Sequence, residues 1–135
     1  MEKNFKQIST KPGFMKHNGG LFFRKMSKDE FEFKTKFNEN HLNKAGITHG
    51  GYIASVIDTG AGASAHQVSN NKTCVTISLD IKFIGATKLS DEIIGYAKVQ
   101  KKTSSLVFLI CHLYCKEKII ATATGVWKMI SRPIS

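Results

Sequence analysis

The chain has 135 residues, 41% of them hydrophobic and 22% charged, with a formal net charge of +10. That size and balance predict one globular domain over residues 1–135 with a real core, and exclude a fibrous or largely disordered chain. The longest unbroken apolar run, residues 106–111, is far too short to span a bilayer, so no membrane partner is expected.

The positive charge admits three partners: nucleic acid, an anionic membrane, or a polyanionic small molecule such as a nucleotide or coenzyme A. It is equally the mark of a chain that uses lysine as its ordinary solvated residue. The lysines are scattered, with no run longer than Lys101-Lys102 and no interleaved aromatic platforms, so nucleic acid is not expected. Cys74, Cys111 and Cys115 make an odd set without a C-x-x-C pair, which argues against a disulfide framework or a metal site. Reduced thiols and an N-terminus lacking the apolar run of a signal peptide predict a cytoplasmic protein.

Residues 1–19 form an N-terminal extension punctuated by Pro12-Gly13 and Asn18-Gly19-Gly20, with a short helix as one reading of residues 5–9. Residues 21–26 and 31–37 read as a hairpin; in the second strand Phe31, Phe33, Thr35 and Phe37 alternate with Glu32, Lys34 and Lys36. Residues 38–46 are loop. The helix that follows, to residue 68, is unusual. Between Lys44 and Lys72 the only formally charged residue is Asp58, whereas a surface helix carries a charged stripe. Its outer positions, Ala54, Ser55, Thr59, Gly62 and Ala65, are small, which predicts a helix buried nearly all round with one carboxylate in it. Thr48 can cap it. Gly50 and Gly51 leave the first-turn N–H groups open to a ligand. Gly60-Ala61-Gly62-Ala63 predicts close approach by another backbone.

Four strands follow, over residues 76–83, 92–101, 104–115 and 119–130. In the first, Ile77, Leu79, Ile81 and Phe83 alternate with Thr76, Ser78, Asp80 and Lys82. One helix and about five to six antiparallel strands define an α+β layer fold. A curved sheet covers one side of the helix, and the charge-free far side calls for a second copy in a twofold homodimer.

The order of elements, Asn43-x-x-Gly46-x-x-His49-Gly50-Gly51 and Asp58 on the helix together resemble the hotdog-fold acyl-CoA thioesterases, in the PaaI-like (phenylacetate-type) branch, over residues 20–130. The resemblance implies a central helix wrapped by a curved antiparallel sheet, and thioester hydrolysis at a site shared across a homodimer, itself paired as a dimer of dimers. It implies Asp58 as general base or nucleophile, and Asn43 with the Gly50 N–H as the groups that polarise the carbonyl. It further implies Thr76 as the residue that positions water, His49 as a residue that orients the loop and touches the carbonyl, and Gly51 as the position that keeps the substrate path clear. Among Lys82, Lys88, Lys101 and Lys102, which could meet coenzyme A phosphates or be ordinary solvated lysines, Lys88 is the substrate-binding candidate. No cofactor is implied, because coenzyme A belongs to the substrate. One departure stands out: many relatives have a proline soon after the strand that holds Thr76, where this chain reads Phe83-Ile84-Gly85-Ala86-Thr87.

Other functions were weighed against these residues. A hotdog dehydratase needs its catalytic histidine in a Phe-Pro type context, which His49-Gly50-Gly51 lacks. A non-catalytic acyl-CoA binding or regulatory module has no need of a base such as Asp58.

Overall fold

A computed structural model describes residues 4–130. The chain enters through a two-residue strand, β1 (Lys6–Gln7), and one helical turn, α1 (Phe14–His17). A hairpin, β2 (Phe22–Lys25) and β3 (Glu30–Lys34), follows. A short 3-10 turn over Glu39–His41 leads to the long helix α2 (Gly50–Val68). Four strands close the fold: β4 (Thr73–Phe83), β5 (Ile94–Lys102), β6 (Leu106–Cys115) and β7 (Lys118–Ile130).

All seven strands lie in one antiparallel sheet of order β1-β2-β3-β5-β6-β7-β4, and α2 packs on its concave face. This is the hotdog arrangement. The strand count exceeds the expected five to six because residues 6–7 pair with Phe22 and Phe23, where a helix over residues 5–9 was a candidate. So short a segment cannot repay helix nucleation, whereas the open edge of β2 offers ready-made hydrogen bonds. Ile8 N–H extends the pairing onto Leu21 O at 3.0 Å.

The core is one apolar cluster between helix and sheet. Phe31, Phe33, Ile57, Leu109, Leu113 and Trp127 are among its largest fully buried side chains. The small residues of α2 make room for rings rather than for a backbone. A Cβ added at Gly60 would lie 2.4 Å from the Phe33 ring, and one at Gly95 on β5 would lie 2.2 Å from the same ring. Phe33 thus fills a slot that exists only because two glycines flank it. Trp127 is seated in a similar way, with Gly62 above it and Gly125 beside it on its own strand.

The sheet does not enclose α2. Tyr52, Ile53, Val56, Ile57, Gly60, Ala61, Ser64 and Ala65 are buried, but Ala54, Ser55, Asp58, Thr59 and Gly62 are only half-buried in the single chain. The expectation of a helix buried all round therefore fails within one chain, except at Ala65. At the sheet edge, β4 pairs with β7 alone, and its large side chains Ile77 and Phe83 are 56% and 57% exposed. No helix among the described residues is long and apolar enough to cross a membrane.

Candidate active site

Two groups of polar residues stand at opposite ends of the first half of α2. The first surrounds the helix N-terminus. Asn43 Oδ1 accepts from the N–H groups of Ala45 (2.9 Å) and Ile47 (3.3 Å). Those two bonds identify the oxygen and leave the Nδ2 amide, in an exposed loop, as a donor with no acceptor among the described residues. The loop closes on itself through Asn43 N–H to Ile47 O at 2.8 Å and a bridge between Leu42 and Thr48. Gly46, at φ 79°, makes the reversal that a side chain would strain.

The helix cap differs from expectation. His49, not Thr48, is the capping residue: its Nδ1 accepts from Gly51 N–H at 2.8 Å. A ring nitrogen that accepts carries no proton, so His49 presents Nε2–H to solvent. Thr48 is turned inward. Its N–H and hydroxyl both donate to Thr87 O, and it accepts from the Thr87 hydroxyl at 2.9 Å. Thr48 cannot reach the helix N–H groups because the buried Thr87 pairs with it instead. Of the two glycine N–H groups expected to be open, Gly51's is therefore taken. Gly50 N–H has no acceptor among the described residues and stands at the positive end of the helix dipole. A Cβ at Gly51 would press on the His49 ring at 3.0 Å. Lys88 is exposed in the loop after β4, one residue beyond Thr87, and its backbone N–H donates to Asp91 Oδ2 at 2.9 Å.

The second group lies further along the helix. Asp58 Oδ1 accepts from the Thr76 hydroxyl at 2.6 Å. A strict alternation along β4 would put Thr76 on the face opposite Leu79, Ile81 and Phe83. The register prevents that. Thr76 pairs with Trp127 and Ser78 with Val126, so Ile77 is an extra residue in a β-bulge. The bulge turns Thr76 to the concave face that it shares with buried Trp127, where Asp58 waits. Asp58 Oδ2 has no donor among the described residues and remains able to take a proton.

Asp58 lies eight residues beyond Gly50, about 12 Å along the helix axis and rotated by about 80°. One carbonyl carbon cannot touch both groups within one chain. Phe83, which sequence alternation assigned to the buried face, is instead exposed, with its ring 3.5 Å from where a Gly50 side chain would begin. Nothing in the sequence marks that position.

The curved antiparallel sheet wrapped on one central helix is the hotdog fold, and together with the family match it sets the class of the chain as a thioester hydrolase. Residues 45–121, more than half of the chain, match the family model of the thioesterase superfamily, and the chain belongs to that family. The Pseudomonas aeruginosa protein PA0474, an esterase by name, is 27% identical over 112 residues, covering 82% of this chain and 84% of its own. Mouse acyl-coenzyme A thioesterase 13 is 27% identical over 73 residues, covering 54% and 52%. Among solved structures, the Escherichia coli PaaI protein superposes with a TM-score of 0.76 at 17% identity, covering 85% and 83%. A Streptococcus pneumoniae hypothetical thioesterase with coenzyme A superposes with a TM-score of 0.75 at 20% identity, covering 85% and 89%.

Proposed function

We propose that the protein hydrolyses acyl-CoA thioesters to the free acid and coenzyme A, at sites each built from two copies of the chain. The observation that carries the reading is the pairing of a hydroxyl-held carboxylate, Asp58 on Thr76, with an unoccupied donor pair, Asn43 Nδ2 and Gly50 N–H. Mouse acyl-coenzyme A thioesterase 13 and the coenzyme A bound to the pneumococcal relative support acyl-CoA as the substrate class.

In this reading Asp58 takes a proton from water, and the water oxygen bonds to the thioester carbon. The carbonyl electrons move onto oxygen, which Asn43 Nδ2 and Gly50 N–H stabilise; one such donor lowers the barrier by about 3 kcal/mol. The oxyanion collapses, the C–S bond breaks, and the departing thiolate leaves as the coenzyme A thiol with the proton from Asp58. Direct attack by Asp58 would reach the same products through an acyl-enzyme anhydride that water then cleaves. In the same reading His49 orients the loop through its cap on Gly51 N–H, and Lys88 meets a coenzyme A phosphate.

The separation of Asp58 from Gly50 along α2 supports a site completed by a partner copy. So does the open edge of β4, an 11-residue strand with Ile77 unpaired and exposed, of the kind proteins cover by pairing. A twofold homodimer satisfies both, and a dimer of dimers is the further assembly in this reading.

Thiol release from a panel of acyl-CoA esters tests the reading. Turnover by the parent with a loss of about 100-fold or more in Asp58→Ala and Asp58→Asn supports it. Binding without thiol release would replace it with a non-catalytic acyl-CoA module.

A further inference from the structure

His41 is a buried, fully hydrogen-bonded imidazole that no step above uses. Its Nδ1 accepts from Asn38 N–H at 3.0 Å, and its Nε2 meets Asn18 Oδ1 at 3.1 Å. An amide oxygen only accepts, so Nε2 carries the proton and the ring is held as one neutral tautomer. The ring stacks on Tyr52 of α2 at 4.0 Å and 15°. The Tyr52 hydroxyl is itself tied to Asn18 O and Thr35 Oγ1, both at 2.8 Å. From the backbone of the same residue, His41 O accepts from His49 N–H at 2.8 Å, one residue before Gly50. One residue therefore joins the N-terminal segment, the 3-10 turn, the side of α2 and the first bond of the donor loop.

We infer that His41 is a positioning residue whose neutral ring holds the loop from Asn43 to Gly51 in the geometry that aims Asn43 Nδ2 and Gly50 N–H at the substrate carbonyl, so that a second proton on this ring disarms the site. The inference rests on the thioesterase reading for its kinetic consequence and on geometry alone for its structural one. Protonated Nδ1 would set an N–H against Asn38 N–H, two donors with no acceptor between them, and the 3-10 turn would lose the histidine half of its capping box. The titratable groups around the ring are His17 of α1, Tyr52 of α2, His49 across the Leu42–Thr48 bridge and Glu39 within its own turn. Burial, and secondarily the charge of His17, hold the proton affinity of His41 below that of a free imidazole. The sign follows. The neutral ring supports the loop fully above the pKa of an unfolded histidine, and that support is lost as pH falls through the lower folded value.

The test compares the pH profile of kcat for the parent, His41→Asn and His41→Ala, alongside amide spectra of Gly50 and Gly51 followed through the same titration. Asn keeps an acceptor where Nδ1 stood but has no proton to gain. The parent should lose kcat on the acid side in step with protonation of the His41 ring, with KM little changed. His41→Asn should abolish that limb while keeping measurable turnover. His41→Ala should lower kcat by about 10- to 100-fold at every pH, the scale of a misplaced donor. An acid limb retained in His41→Asn with the parent's midpoint would assign it to a group other than His41 and overturn the inference. So would a His41 titration that leaves the Gly50 and Gly51 amides unmoved. If no ester is hydrolysed at any pH, the thioesterase reading fails, and the amide shifts alone then decide whether His41 governs the loop.

Discussion

Thr76 donates its hydroxyl proton to Asp58 across 2.6 Å, and it does so only because Ile77 is bulged out of register with β7. The same residues paired without the bulge would aim the hydroxyl at solvent and leave the carboxylate on α2 without its partner. Thr76→Val should therefore lower kcat by about 10-fold or more, the effect of losing a hydrogen bond to a charged group, with little change in fold. Deleting Ile77 should be milder than substituting Thr76, because Thr76 keeps its place opposite Trp127 and Ser78 opposite Val126, so the hydroxyl still faces Asp58. Steady-state kinetics with circular dichroism on both variants check this.

The distance between Asp58 and Gly50 predicts complementation. Mixing Asp58→Ala chains with Asn43→Asp chains gives heterodimers with one intact and one doubly altered site. Random reassortment should restore about a quarter of the parent activity from two inactive proteins. Activity that stays absent after verified subunit exchange would mean that each chain builds its own site.

Asn43→Asp is informative by itself. The carboxylate keeps the acceptor that Ala45 and Ile47 N–H use, so the loop should persist, but the Nδ2 donor is gone and a negative charge stands where the oxyanion forms. We expect kcat to fall by about 100-fold or more with a small change in melting temperature. A large loss of stability with modest loss of kcat would mark Asn43 as a turn former only.

The slot around Phe33 predicts a coupled stability effect. Gly95→Ala should destabilise by about 1–3 kcal/mol through overpacking, and Phe33→Leu should cost a comparable amount through the void it leaves. The double variant should cost less than their sum, because the smaller side chain vacates the space the added methyl needs. Denaturant unfolding of the four proteins measures the coupling; strict additivity would show that ring and glycine do not compete.

Cysteine chemistry should be sharply divided. Burial pushes the Cys111 thiol up to about 12, whereas Cys74 and Cys115 are half-buried. Near neutral pH a thiol reagent should modify Cys74 and Cys115 while Cys111 waits for unfolding. The neutral thiol's contribution to stability is complete below the unfolded value and is lost only as pH climbs toward 12. Mass spectrometry after timed alkylation, with and without denaturant, reads the three sites separately.

Much of this architecture is written in local patterns, and the parts that are not have identifiable physical causes. Alternation of Phe31 and Phe33 with charged neighbours places β3 correctly, because one buried face imposes a period of two. The same rule misplaces Thr76 against Ile77, because a bulge is settled by the partner strand and not by the residues within it. Thr48 reads as a cap by residue type, yet Thr87, 39 positions away, claims its hydroxyl, and the imidazole of His49 takes over. The segment at residues 6–7 became a strand because β2 offered it an edge. His41 carries no spacing signal, since its partners come from Asn18, Asn38, Tyr52 and His49. Asp58, by contrast, announces itself as the one charge in a long neutral window.

Trp127 is the chain's single tryptophan, and its place in the fold gives it a further use. It pairs directly across the sheet with Thr76 and lies beneath α2 at Gly62. Its emission is thus an intrinsic optical gauge set beside β4 and beneath α2. A red shift would register separation of helix and sheet at that spot before the rest of the molecule is lost. Titrating an acyl-CoA analogue against this signal would follow occupancy in unlabelled protein.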